Sequence, residues 1–394
     1  MRRALPRTVW ALGLVSLFMD ISSEMIHALL PLFLTTMLGA SVALVGLIDG
    51  VAESTASISK VFSGYLSDRF GRRKPLILLG YGLGALTKPL FALAASPALI
   101  FAARFADRIG KGLRGAPRDA LIADATPPEF RGRAYGLRQA LDTSGAFIGP
   151  VAAIGLMALF ANDFRAVFWL AAIPAVIAVT LVVVGVEETR APPNENSARA
   201  PIALRDLGRL NRAFWGVVIV GVMMTLARFS EAFLILKANA EGLPLAFAPA
   251  VLVVMNVVYA AGAYPAGALA DRIAPVRLLL FGLAALIAAD LLLAFAPGVW
   301  GAFAGIALWG GHMALTQGLL AKLVADRAPV ELRGSAFGLF NVAAGIAMLA
   351  ASVIAGVLWD RLGPAAAFIV GAAFAFSAGV LAMALFRERA KAAD

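Results

Sequence analysis

Ionisable side chains lie at helical spacing inside the first apolar stretch of the chain. Asp20, Glu24 and His27 fall at positions i, i+4 and i+7, so they share one face of a helix. A second stripe follows in the next apolar stretch, formed by Asp49, Glu53 and Lys60. Two carboxyl groups that share a site of low dielectric cannot both ionise without a large cost, so one of them can hold a proton. The residue types and their spacing therefore predict proton transfer.

The first two stretches should run antiparallel, which would place Glu24 and Glu53 at a similar depth and His27 near the level of Asp49. We predict that the proton-coupling residues are Asp20, Glu24, Asp49 and Glu53, with Arg108 tuning their charge. The same acids could instead pair with basic residues of the fourth stretch and stabilise the fold. On ligand type alone, Asp20, Glu24 and His27 could also bind a divalent metal. Proton relay or a buried pair is the preferred interpretation, and we predict no metal and no cofactor.

Further charged residues occur in other apolar stretches. An ionised side chain at the bilayer centre costs about 2.5–3.5 kcal/mol, so a segment with several of them must face protein or water. We predict substrate contacts from His27, Arg104, Lys111, Arg138, Asp142, Arg228 and Glu231. For Arg104, Arg108 and Lys111, neutralisation of buried acids is an equally good explanation.

The composition places these charges in a membrane protein. The chain has 394 residues, of which 61% are hydrophobic and 15% charged, outside the usual range of soluble globular proteins. The net charge is +10, but the basic residues concentrate in alternate loops, so membrane topology explains it better than nucleic-acid binding does. We predict no nucleic-acid partner. The chain has no Cys and only two His, which excludes thiolate metal sites and a His-rich metal site.

The apolar stretches define the elements that must position the charges. Twelve of them are long enough to cross about 30 Å of hydrocarbon, at roughly 8–38, 41–67, 75–95, 98–121, 133–160, 164–186, 212–238, 245–270, 275–296, 298–323, 334–359 and 364–386. The first is too long and too polar for the core of a cleavable signal peptide. The distribution of Lys and Arg over the loops predicts that both termini are cytoplasmic.

An internal repeat divides these stretches into two sets. The segment Asp124-x-x-Pro127-x-Glu129-x-Arg131-Gly132 returns about 200 residues later as Asp326-x-x-Pro329-x-Glu331-x-Arg333-Gly334. We therefore predict an all-α polytopic membrane protein, with twelve transmembrane helices in two pseudo-symmetric six-helix bundles around a central cavity. The predicted bundles are residues 1–186 and 212–394, joined by a cytoplasmic linker at 187–211.

The loop after the second stretch carries a known signature. Gly64-x-x-x-Asp68-Arg69-x-Gly71-Arg72-Arg73-Lys74 resembles the loop motif of the major facilitator superfamily of secondary transporters, and the resemblance covers essentially the whole chain. It implies that a conformational latch is formed by Gly64, Asp68, Arg69, Gly71, Arg72 and Arg73. The second copy keeps Asp271 and Arg272 but has Ala274 and Pro275 after them, so we expect a weaker latch there.

Two further motifs are similar to signatures of that superfamily. Arg108-x-x-Lys111-Gly112 resembles a motif associated with proton transfer, with Lys in place of the usual Gln. In the fifth stretch, the spacing of Gly136, Gly145 and Gly149-Pro150 is similar to the antiporter motif of drug/proton exporters, although its final Gly pair is missing. A small-residue face for close helix packing would give the same pattern.

The resemblance implies alternating access with protons exchanged for a small molecule. We predict a monomer in the bacterial inner membrane that exports a drug-like or amphiphilic substrate, with protons and the lipid bilayer as its other partners. Two alternatives stay open, namely a proton-coupled importer of a small anionic metabolite held by Arg104, Arg108 and Lys111, and a lipid translocase. The chain has no set of nucleophile, base and orienting group, so we predict that it is not an enzyme.

Overall fold

The computed structural model describes residues 5–70, 72–188, 209–270, 272–329 and 332–387. Over these residues every regular element is a helix, and there is no strand. Ten of the helices are long and apolar enough to cross a membrane by length and composition. The predicted all-helical membrane fold is confirmed.

The first half of the chain contains six long helices. They are α1 (Arg7–His27, continued by Leu30–Leu32 and the π-helical Phe33–Met37), α2 (Val42–Phe70), α3 (Lys74–Leu93), α4 (Pro97–Ala125), α5 (Arg131–Leu159) and α6 (Phe164–Gly185). In α4, charged residues line one face along its whole length. This polar face keeps α4 out of the set of ten apolar spans, although its 29 residues are long enough to cross.

The described residues of the second half also form six long helices. They are α7 in two segments (Arg212–Ala227 and Ala232–Ala240), α8 (Ala250–Ala270), α9 (Pro275–Phe295), α10 (Gly298–Arg327), α11 (Arg333–Leu362) and α12 (Pro364–Arg387). The helix bounds agree with the predicted spans to within several residues. The first helix of each half is interrupted, α1 after His27 and α7 after Ala227. An interruption inside a membrane span is tolerated where protein surrounds it, because the freed backbone groups then find partners.

Contacts between helices divide the chain into two compact units, Met1–Leu38 with Thr55–Pro201, and Gly39–Ser54 with Ile202–Asp394. In the first unit, α1 packs on α5 and α6, and α3 packs on α4 and α6. In the second unit, α7 packs on α11 and α12, and α9 packs on α10 and α12. The two patterns are related by a shift of six helices, which is what an internal repeat produces.

The division between the units falls inside α2, whose first half belongs by its contacts to the second unit. The predicted domain bounds at 186 and 212 stay a prediction. Most of the predicted linker, residues 189–208, lies outside the described residues.

Several helix ends are marked by capping residues. The side chain of Asp163 accepts hydrogen bonds from the first backbone N–H groups of α6, and Asn211 accepts one from Phe214 N at the start of α7. Proline stands in the first turn of α3, α4 and α9, where its missing N–H has no helical partner to lose. Gly363 joins α11 to α12 with φ of 89°, a conformation that favours glycine.

A salt bridge between Lys237 and Glu241 lies at the C-terminal end of α7. The Gly298 N–H at the start of α10 donates to Glu241 Oε2 over 2.6 Å, and Lys237 one turn earlier donates to Oε1. The Lys237 ammonium group and this N–H lower the pKa of Glu241 below its ordinary 4.5. The carboxylate thereby ties the end of α7 to the beginning of α10.

Candidate functional site

A buried ion pair joins α3 to α4. The two helices touch backbone to backbone, because a Cβ at Gly80 or at Gly110 would lie 2.6 Å from the carbonyl oxygen of the other glycine. This approach brings Lys88 Nζ to 2.9 Å from Asp107 Oδ1, and the same ammonium donates to Ser23 Oγ on α1 over 3.0 Å. Both charged side chains are almost fully buried, with 1% and 4% of their surfaces exposed.

The carboxylate of Asp107 also faces the basic stripe of α4. Arg108 Nε lies 3.5 Å from Asp107 Oδ2, and the charge of Arg104 acts on the same carboxylate. Arg104 and Arg108 are each only 2% exposed, whereas Lys111 is exposed. These contacts support the interpretation that Arg104 and Arg108 neutralise a buried acid.

Two carboxyl groups meet between α1 and α5. The carboxyl groups of Asp20 and Asp142 lie close enough to act on each other. Arg138 lies one helical turn before Asp142 on α5, and its Nη2 is 3.2 Å from Asp142 Oδ1. Arg118 Nη1 lies 3.9 Å from the same oxygen. Two carboxyl groups can share a hydrogen bond only if one of them is protonated. The structure therefore brings Asp20 and Asp142 together as a carboxyl pair.

Arg118 connects four helices around this pair. Its Nη1 donates to Ser16 Oγ on α1 over 3.0 Å and to Tyr81 Oη on α3 over 3.4 Å. Its Nε donates to Asp119 Oδ1 over 3.1 Å on its own helix α4. Sequence reasoning did not assign Arg118 a role. Its spacing of seven and eleven residues from Lys111 and Asp107 on one face of α4 is the signal that could have found it.

The glycines of α5 allow α1 to approach. A Cβ at Gly145 would lie 2.5 Å from Leu17 O and 3.0 Å from Asp20 Cβ, and a Cβ at Gly149 would lie 2.8 Å from Glu24 Cβ. Among the described residues, no atom beyond the local helix lies within 4 Å of a Cβ placed on Gly136. Pro150 follows directly inside the helix. Two of the three predicted glycines thus hold α1 against α5 at the level of its two acids.

Replacing Gly145 by Ala should therefore disturb the carboxyl pair. We expect a loss of about 1–3 kcal/mol in the free energy of unfolding, because the Leu17 carbonyl is backbone and cannot move aside without separating the helices. The matched control is Gly155→Ala on the same helix, where a Cβ meets nothing within 4 Å. That control should be neutral or slightly stabilising, since Ala is the better helix former. Equilibrium unfolding in mixed detergent micelles measures both, and equal losses would contradict the close approach at Gly145.

The remaining predicted proton residues have other partners. Glu24 Oε2 lies 3.5 Å from His27 Nδ1, so this acid and the histidine form a local pair one turn apart on α1. Asp49 is 3% exposed and accepts a hydrogen bond of 2.8 Å from Ser230 Oγ, at the interruption of α7 in the second unit. Glu53 is half-buried on α2. Their part in proton coupling stays a prediction.

The first half of α2 packs tightly on α11. A Cβ at Gly46 would collide with Ser352 O, one at Gly50 would lie 3.0 Å from Leu349 Cα, and one at Gly356 would lie 2.6 Å from Ala43 Cα. The exposed Asp360 closes this seam, because its two carboxylate oxygens accept hydrogen bonds from Val42 N and Ala43 N over 3.1 and 2.8 Å. A carboxylate of α11 thus caps the N-terminus of α2.

Replacing Asp360 by Ala should loosen the α2–α11 contact. Loss of such a cap costs about 1 kcal/mol, with a range of about 0.5–2, which corresponds to a several-fold rise in the open population. The chain has no Cys, so the variant Val45→Cys, at a residue that is 1% exposed on α2, reports opening through its rate of maleimide labelling.

The matched control is Asp163→Ala, which removes the cap of α6 in the other unit. This control should leave labelling at position 45 unchanged. A labelling rate that is insensitive to Asp360→Ala would contradict the capping role.

The predicted latch loop is described only in part. Arg73 Nε pairs with Asp124 Oδ2 over 2.7 Å, and Glu188 accepts hydrogen bonds from Arg73 N and Lys74 N at the start of α3. Gly64 faces Ala116 across α2 and α4, where a Cβ added to Gly64 would lie 3.4 Å from Ala116 Cβ. The exposed members are Arg69, Arg72 and Arg272. Gly71, Asp271 and the side chain of Asp68 lie outside the described residues.

The last predicted substrate residues, Arg228 and Glu231, lie at the interruption of α7, where the carboxylate of Glu231 attracts the Arg228 guanidinium.

Over the part of the chain that the structure describes, no group of three His, Cys, Asp or Glu side chains is placed to hold a metal ion. The divalent-metal alternative at Asp20, Glu24 and His27 therefore gains no support.

Over the described residues, twelve long helices with a repeated packing pattern and buried ion pairs define a multi-pass membrane protein. The fold is similar to that of the nucleoside transporter NupG, with a TM-score of 0.80 at 13% identity over 96% of this chain and 100% of NupG. The family model described as Major Facilitator Superfamily matches residues 12–257 and 242–394. The chain belongs to the major facilitator superfamily and is a transporter of that family.

Two relatives add detail. The chain is 30% identical to the uncharacterized MFS-type transporter MJ1317 of Methanocaldococcus jannaschii, over 96% of this chain and 95% of the relative. It is 34% identical to the multidrug resistance protein MdtH of Yersinia enterocolitica, over 43% of this chain and 42% of the relative. The predicted resemblance to the superfamily is confirmed.

Proposed function

We propose that this transporter exchanges protons for a small organic molecule and exports it across the inner membrane, with both termini cytoplasmic and the monomer as the working unit. The observation that carries the proposal is that the Asp20 and Asp142 carboxyl groups approach each other where Gly145 brings α1 against α5. A carboxyl pair inside a membrane protein is costly unless it binds a proton, and such sites mark proton pathways.

The neighbours of the pair support Asp20 as the member that holds the proton. Asp142 has the guanidinium groups of Arg138 and Arg118 at 3.2 and 3.9 Å, and these opposite charges pair with its carboxylate. Asp20 is then the group that donates the shared hydrogen bond. When Asp20 releases its proton, two carboxylates face each other and the hydrogen bond is replaced by repulsion.

The packing of α1 on α5 couples the proton to a conformational change. The pair lies where Gly145 holds α1 in backbone contact with α5, so the charge of Asp20 acts on the same contact. Proton binding favours the close contact and proton release favours separation of α1 from α5. Because the interruption of α1 follows one turn beyond Glu24, this separation can pass to the segment after His27. The proton is thereby linked to a conformational change in the first unit.

Export is the favoured direction. The partial likeness to the multidrug resistance protein MdtH and the glycine spacing of α5 both support it. The predicted latch around Asp68 and Asp271 would hold the cytoplasmic side closed in this cycle. A proton-coupled importer would use the same carboxyl pair, but its substrate would move in the same direction as the protons.

Reconstituted proteoliposomes test the function. Three probes of matched shape are used, namely a naphthalenesulfonate, the neutral naphthalenesulfonamide and naphthylmethyl-trimethylammonium. An imposed pH gradient should drive at least one probe against its concentration gradient, and the movement should run opposite to the protons. Movement in the same direction as the protons would support the importer instead. Transport of a probe that ignores the pH gradient would contradict proton coupling in either form.

A further inference from the structure

The second unit contains a cavity of about 260 Å³ beside the interruption of α7. It lies among α7, α10 and α11, and all of its lining residues belong to that unit. Cavities that hold drug-sized ligands are usually about 300–1,000 Å³, so this one, which is slightly smaller, suits a ligand smaller than a typical drug.

Arg228 gives the cavity its charge. Its side chain is the one ionised group among the described residues that line the cavity, and an Arg guanidinium stays protonated at any physiological pH. The Glu231 carboxylate attracts this guanidinium without contributing to the lining. The space itself is therefore bordered by a positive charge and by no negative one.

The other walls are amphipathic. The amide side chains of Gln317 and Asn341 can each donate a hydrogen bond into the space, and Met224, Met348 and Phe337 supply polarisable apolar surface. Amide donors favour acceptor oxygens, and the planar guanidinium matches a carboxylate or sulfonate by two parallel hydrogen bonds. The apolar surface suits an aromatic or short aliphatic body.

We propose that this cavity binds a small amphiphilic organic anion, with its acidic headgroup on Arg228 and its apolar body against the methionines and Phe337. That the bound anion is also the transported substrate rests on the proposed function. Binding itself does not, since it requires only the folded second unit and no pH gradient. The binding proposal and the proposed transport function can therefore fail separately.

Binding to the full-length protein in detergent tests the proposal, with the same three naphthalene probes and isothermal titration calorimetry. The sulfonate should bind about tenfold more tightly than the sulfonamide, because a charge-assisted hydrogen bond replaces a neutral one. Arg228→Gln should remove this preference, and Arg228→Lys should keep part of it. The control is Arg277→Gln, which removes a cation of α9 that does not line the cavity and should change nothing.

Three results of these titrations would overturn the proposal. Tighter binding of the trimethylammonium probe, no saturable binding of the sulfonate, or an unchanged preference in a folded Arg228→Gln variant would each overturn the proposal. An anionic lipid headgroup offers the same chemistry as a free anion, so the titration is repeated in nanodiscs with and without phosphatidylglycerol. Equal affinity in both supports a free anion as ligand. Loss of sulfonate binding with the anionic lipid would assign the cavity to lipid and overturn the proposal.

Discussion

Replacing Asp107 by Asn is expected to lower the free energy of unfolding by about 3–5 kcal/mol, because it leaves buried cations without their counter-charge. Asp107 is the acid between Lys88 and Arg108, at 2.9 and 3.5 Å, and these side chains are all at most 4% exposed. Asn has nearly the same shape, so the loss reports charge rather than packing. Equilibrium unfolding in mixed detergent micelles measures it.

Asp290→Asn is the matched control for this prediction. Asp290 is a buried acid of α9 with 0% exposure, and neither of its carboxylate oxygens has a hydrogen-bond partner within the described part of the chain. The same chemical change there should leave stability almost unaltered or raise it. Adding Lys88→Met to Asp107→Asn should recover part of the loss, since one unpaired cation is removed. Equal effects of the two Asn variants would contradict the counter-charge role of Asp107.

Replacing Asp20 by Asn is expected to uncouple transport from protons while the protein still exchanges substrate. An exchange of one proton per substrate lets a gradient of one pH unit maintain about a tenfold substrate ratio, since one unit is about 1.36 kcal/mol. The amide of Asn can still donate a hydrogen bond to Asp142, so the packing of α1 on α5 should persist. In proteoliposomes the variant should reach a substrate ratio of about one under the same pH gradient.

Glu24→Gln tests whether Glu24, the other acid of α1, carries the proton in place of Asp20. Glu24 lies beside His27 at 3.5 Å, and that pair can also hold a proton. The structure-based expectation is that Glu24→Gln keeps a pH-driven substrate ratio well above one. If Glu24→Gln uncoupled transport and Asp20→Asn did not, the proton would pass through Glu24 and His27.

Much of the fold could be predicted from the sequence because it depends on local properties. The length of an apolar run decides whether a segment can cross the bilayer, and the repeated Asp-Pro-Glu-Arg-Gly segments gave the internal symmetry. The interruption of α7 at Arg228 was not predicted. It depends on neighbouring helices, here through the contacts of Ser230 with Asp49 and Ser352.

Several residues of the candidate site were predicted from the sequence, but Arg118 was not, and neither was the pairing of the acids. Asp20 and Asp142 were both recognised as ionisable residues inside apolar stretches, and they were assigned to different roles. Helical spacing shows which residues share a face and cannot show which helix that face meets. The depth argument favoured Glu24 with Glu53, whereas α1 packs on α5. Gly145, three residues after Asp142, is the small residue that marks this close approach.

The central claim is that Asp20 and Asp142 share a proton, and infrared spectroscopy of the reconstituted protein at neutral pH tests it most directly. Our account predicts that the wild-type spectrum contains a carboxylic-acid C=O band that disappears in Asp20→Asn and remains in Glu24→Gln. A carboxylic-acid region that is identical in the wild type and in Asp20→Asn would contradict the account, because Asp20 would then carry no proton.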